Sequence, residues 1–78
     1  MKNGAPLKIE SAVWRDPERL GGKVCFKGTR VPVDALFENL EAGLNLEEFL
    51  EEFEGVTREQ ALAVLEYARR YVGEPAHA

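Results

Sequence analysis

The run Lys23-Val24-Cys25-Phe26-Lys27-Gly28-Thr29-Arg30-Val31-Pro32-Val33-Asp34 constrains the fold of this chain more than any other segment. Val24, Cys25 and Phe26 make a short apolar strand that leads into a Gly-Thr-Arg corner, where Gly28 supplies the backbone freedom a tight turn needs. Arg30 and Val31 should continue extended, because the residue before a proline avoids helical angles, and Pro32 itself suits a first helical turn. The chain must therefore pass from β-ribbon to helix near Val33 or Asp34. Within the corner, Gly28 and Thr29 read as architecture, the threonine through a local backbone hydrogen bond. Arg30 reads as a partner for a carboxylate such as Asp34 or a glutamate of the helical half.

Upstream of this run, residues 9–14 suggest a first short strand, with breaks at Asp16-Pro17 and Gly21-Gly22. Residues 1–8 contain Gly4 and Pro6 without periodicity and are expected to form a loose arm. Downstream, three helices follow. The first covers about 33–42, with Leu36, Phe37 and Leu40 on one face and Gly43 as its stop. Asn45-Leu46-Glu47-Glu48 is a capping box for a second helix over 46–53, which buries Leu46, Phe49, Leu50 and Phe53 and turns Glu47, Glu48, Glu51 and Glu52 outward. Thr57-Arg58-Glu59-Gln60 is a second box, opening a helix to about Val72 with Ala61, Val64, Leu65, Ala68 and Val72 inward. Residues 73–78 form a tail. The expected fold is one α+β domain over 9–72, mainly α, with a β-ribbon in 9–32 and three helices in 33–72.

A chain of 78 residues has room for one domain, and at that size it buries only ~60–65% of its unfolded surface. A two-strand ribbon this short is not stable alone in water, and Trp14, Val24, Phe26 and Val31 give it apolar side chains that need cover. The cover is either its own helices or the ribbon of a second copy. The second choice also closes the strand edges, so a ribbon-mediated homodimer is the expectation, with those four residues at its interface. No apolar run approaches the ~20 residues of a membrane span, and the first residues lack a long apolar leader. The single cysteine, Cys25, forbids an internal disulfide, which makes a reducing cytoplasm the expected setting.

The net charge of −4 conceals a division. Residues 1–33 carry seven Lys and Arg against three carboxylates, a net +4, whereas residues 34–78 carry three arginines against eleven carboxylates, a net −8. An acidic surface repels nucleic acid and attracts basic proteins, so any phosphate contact belongs to the first half.

The pattern Asp16-Pro17, Gly21-Gly22-Lys23, Phe26-Lys27-Gly28-Thr29-Arg30-Val31-Pro32-Val33, Ala42-Gly43, Glu47-Glu48 and Thr57, with Tyr67-Ala68 downstream, resembles the family called domain of unknown function 433 over roughly residues 9–70. Val24 stands where relatives often carry proline, and Glu54-Gly55 replaces a proline common before the third helix. The resemblance implies a small helix-turn-helix-like, homeodomain-like unit with an N-terminal ribbon. It also implies an association with VapB-like antitoxins of prokaryotic toxin–antitoxin pairs, whose usual partner is a PIN-like ribonuclease.

Reaction chemistry is not legible in the residues. Nucleophilic catalysis needs a histidine beside Cys25 or a hydroxyl, and the single histidine is His77, in the tail. One cysteine and one histidine fall short of a zinc set, so no metal, cofactor or small-molecule substrate is expected, and no enzyme. Mid-strand Cys25 reads as a small buried hydrophobe. Gly21-Gly22-Lys23 and Lys27-Gly28-Thr29 lack the spacing of a phosphate loop. As a DNA reader the second helix would set Glu47, Glu48, Glu51 and Glu52 against phosphates, and the third has only Arg58, Arg69 and Arg70. The ribbon is better supplied: Arg15, Lys23, Lys27 and Arg30 are the candidate DNA-binding residues, with Arg19 close by. The glutamate face is either a solvated face or a patch that docks a basic partner surface. The expected function is an antitoxin-like protein-binding module that neutralises a PIN-like ribonuclease through its acidic helices and tail and regulates its own operon. A stand-alone DNA-binding regulator, or a small adaptor without a toxin, are the alternatives.

Overall fold

A computed structural model of the chain describes residues 7–15, 17–18 and 20–73. Its elements run α1 (Ile9–Ala12), β1 (Val13–Arg15), a 3-10 turn (Leu20–Gly22), β2 (Val24–Phe26), α2 (Val33–Glu41), α3 (Leu46–Glu52) and α4 (Arg58–Gly73). The protein is a small, mainly helical α+β domain with a two-stranded antiparallel ribbon. Residues 1–6, Asp16, Arg19 and residues 74–78 lie outside the described residues, and with them most of the expected arm, the tail and His77.

Three of the expected elements form where the local signals place them. Pro32, extended at φ −64° and ψ 145°, caps α2. Gly43, at φ +104°, lets α2 end in a Schellman arrangement, with Gly43 N–H donating to the Leu40 carbonyl (3.1 Å) and Leu44 N–H to that of Asn39 (3.0 Å). The Asn45 box is complete: Asn45 N–H donates to Glu48 Oε1 at 2.8 Å, and Glu48 N–H donates to Asn45 Oδ1 at 2.9 Å. The Thr57 box is equally complete, at 2.9 Å from Thr57 N–H to Gln60 Oε1 and 3.1 Å in return from Gln60 N–H to Thr57 Oγ1.

The core lies between the ribbon and the helices. Phe26 of β2, Leu36 of α2, Phe49 of α3, Val56 of the last turn, and Ala61 and Val64 of α4 are buried together. Tilted aromatic pairs link Phe26 to Phe49 (6.2 Å between centroids) and Phe49 to Phe53 (4.9 Å). Cys25 is buried as expected.

Several expectations are corrected. Residues 9–12 are a helical turn, and pairing starts only at Val13, in the register Val13 with Phe26, Trp14 with Cys25 and Arg15 with Val24. A strand would put Ser11 on the same face as Ile9 and Val13, whereas a helical turn groups Ile9 with Ala12 and Val13, and α1 packs on α4. Phe26, expected at a dimer interface, is completely buried in the core of its own protomer, beyond the reach of a second copy. The ribbon rests on its own helices, with Val13 and Val31 also packed on the core. Val72 was expected inward and is 88% exposed, because α4 outruns the elements that could cover its last turns.

Candidate interaction surfaces

The Gly-Thr-Arg corner is built for position. Gly28 adopts φ +81°, and Thr29 N–H donates to the Phe26 carbonyl at 3.0 Å. The Thr29 hydroxyl donates to the same carbonyl (2.8 Å) and accepts from Val31 N–H (3.0 Å). Phe26 N–H donates to the Val31 carbonyl (3.0 Å), and Cys25 bridges to Pro32, so the chain doubles back along β2. Two distant groups hold the corner from outside: the Trp14 indole N–H donates to the Thr29 carbonyl (3.1 Å), and Gln60 Nε2 donates to the Lys27 carbonyl (2.9 Å). The amides of Lys27, Thr29 and Val31 all have internal acceptors, so three of the five N–H groups of residues 27–31 are already committed.

The candidate cations divide between the two ends of the ribbon. Arg15 and Lys23 stand at one end, Lys27 and Arg30 at the corner, about 13 Å away by strand rise. The Lys27 ammonium donates to the Glu10 carbonyl at 3.3 Å. Arg30 is exposed and makes no ion pair among the described residues, so neither Asp34 nor a described glutamate is the partner expected for it. Trp14 is 39% exposed on the ribbon face away from Phe26, and its indole is an internal strut.

The acidic face of α3 is partly committed. Glu47 pairs with Arg58, whose guanidinium is raised above its ordinary range by that hydrogen bond. Glu48 serves the capping box. Glu51 and Glu52 are exposed without a partner among the described residues and, with Leu44 and Glu48, line a shallow recess of about 290 Å³.

One feature that reading the sequence missed is an open apolar groove of about 540 Å³. Ile9, Val13 and Val24 form its ribbon wall, with Val33 and Phe37 of α2 beside them. The opposite wall is the stripe Val64, Tyr67, Ala68, Tyr71 and Val72 of α4, spaced i, i+3, i+4, i+7, i+8. Tyr67 and Tyr71 stack at 5.3 Å between centroids and remain 46% and 64% exposed. The signal was present in the sequence: this apolar stripe continues two turns past the point where a core this small can cover it.

Among the described residues no three His, Cys, Asp or Glu side chains converge as metal ligands, and no helix is long and apolar enough to cross a membrane. The surfaces on view suit macromolecular contact. The family model described as a protein of unknown function, DUF433, matches residues 13–68, from β1 into α4. No curated protein and no solved structure matches the chain.

Proposed function

This chain belongs to the DUF433 family, and on that premise we propose that it is a protein-binding module of antitoxin type, working in the cytoplasm against a PIN-like ribonuclease. One observation carries the proposal: Glu51 and Glu52 stand exposed, without a partner among the described residues, on a helix closed by a complete capping box. A fixed pair of uncompensated carboxylates resembles, to a basic protein groove, the charge of the nucleic acid it normally receives. Docking there would occlude that groove.

The test is co-expression with the product of the adjacent reading frame, followed by pull-down and a ribonuclease assay across a salt series. Inhibition that weakens with salt is expected, and Glu51→Lys with Glu52→Lys should weaken it about tenfold or more. A neighbour that is not a ribonuclease, or inhibition indifferent to the double reversal, refutes the proposal.

A second reading rests on its own observation. Arg15, Lys23 and Arg30 are exposed and make no ion pair among the described residues. In a helix-turn-helix-like α2–α3–α4 unit whose α3 turns carboxylates outward, DNA contact for autoregulation would fall to the ribbon. Anisotropy with the upstream DNA should then show a steep negative salt dependence that flattens in Arg15→Ala and Arg30→Ala.

A further inference from the structure

We propose that the apolar groove between α4, the ribbon and α2 is a self-recognition surface, filled by the same surface of a second copy across a two-fold axis. The signs of its lips select that occupant. On the ribbon lip, Arg15 lies opposite groove-lining Val24 in the register and so shares its face. On the α2 lip beside it, Asp34 follows groove-lining Val33, and Glu41 lies one helical turn beyond Phe37. Arg15, Asp34 and Glu41 are exposed, and among the described residues none makes an ion pair. A partner of one sign would satisfy one lip and be repelled by the other. A two-fold axis sets the cationic lip of each copy against the acidic lip of its mate.

The areas agree with this assignment. Tyr67, Tyr71 and Val72, at 46%, 64% and 88% exposure, together leave roughly 350 Å² in water. That is close to half of the ~800 Å² each partner buries in a standard interface, before the groove walls and lips are added. Val72 stands clear of its own protomer and is the side chain that enters the partner's groove. This interface replaces the ribbon pairing expected from the sequence, since Trp14 and Phe26 do not line the groove. It is also independent of the antitoxin reading, because no residue of α3 lines it.

Sedimentation velocity of the full chain, without DNA or any partner protein, tests the proposal. The wild type should sediment as a dimer at micromolar concentration. Val72→Asp should dissociate about thirtyfold or more readily, with a native circular dichroism spectrum because Val72 is not in the core; Tyr71→Ser is the second variant should the first fail to fold. Arg15→Glu should also weaken the dimer, and adding Asp34→Lys with Glu41→Lys should restore it. A monomeric wild type overturns the proposal, as does a dimer indifferent to both Val72→Asp and Tyr71→Ser. A dimer that instead yields to Trp14→Phe would put the contact on the ribbon and overturn it equally.

Discussion

Gln60 joins two levels of the structure, and replacing it should separate them. Its Oε1 accepts from Thr57 N–H in the capping box, and its Nε2 donates to the Lys27 carbonyl, 33 residues away in sequence. The side chain is buried. Gln60→Ala removes the return half of the box and leaves Thr57 N–H without its acceptor, which costs about 1 kcal/mol, and leaves the Lys27 carbonyl without its donor, another ~1–1.5 kcal/mol. A lost buried methylene adds about 0.8 kcal/mol, against about 0.4 kcal/mol regained from the helix propensity of alanine. The net is about 2.5 kcal/mol. With a urea m-value of about 1 kcal/mol/M for so small a domain, the midpoint should fall by about 2.5 M.

Gln60→Glu keeps the acceptor for Thr57 N–H but sets a carboxylate oxygen against the Lys27 carbonyl, at a cost of about 1–3 kcal/mol near neutral pH. Protonated, the introduced group can donate to that carbonyl, so its folded pKa lies above the ~4.3 of an unfolded glutamate. Folding then favours proton uptake, and stability relative to wild type falls as pH rises through the folded pKa and returns below the unfolded one. Urea titrations of wild type and both variants at pH 7 and about pH 3.5 measure this. A Gln60→Ala cost under about 0.5 kcal/mol, or a Gln60→Glu cost unchanged at low pH, would refute the tether.

Three further predictions use simple measurements. Gly28→Ala should cost about 1 kcal/mol in urea titration purely through the positive φ, because a Cβ there meets nothing within 4 Å; no loss would contradict the left-handed corner. Phe26→Ala should cost about 3–5 kcal/mol, enough to leave the chain largely unfolded by circular dichroism, whereas a cost under about 1 kcal/mol would place that ring outside the core. The Glu66 carboxyl is held below its ordinary range chiefly by the hydrogen bond from Arg69. An NMR titration should find its midpoint low in wild type and raised in Arg69→Ala. The sign for stability follows: this depressed carboxylate contributes above its unfolded pKa, and the contribution is lost as pH falls through the folded value.

What was legible in the sequence was what neighbours along the chain decide. Pro32, Gly43, Asn45 and Thr57 act through backbone angles and hydrogen bonds three to five residues away, so α2, α3 and α4 could be bounded from the letters. The corner at Gly28-Thr29 was equally readable, as was the division of charge. Residues 9–12 were not, because four residues carry too little local preference to choose between turn and strand, and packing on α4 makes the choice. The end of α4 shows the same limit. Its apolar period is plain in Val64, Tyr67, Ala68, Tyr71 and Val72, but periodicity records which side chains share a face and not whether anything stands opposite. Only the tertiary structure decided that this face passes from core to open groove, that Phe26 belongs to the interior, and that the Gln60 amide reaches the Lys27 carbonyl. Each of those outcomes depends on segments far apart in sequence meeting in space, and local backbone preference carries no record of such meetings.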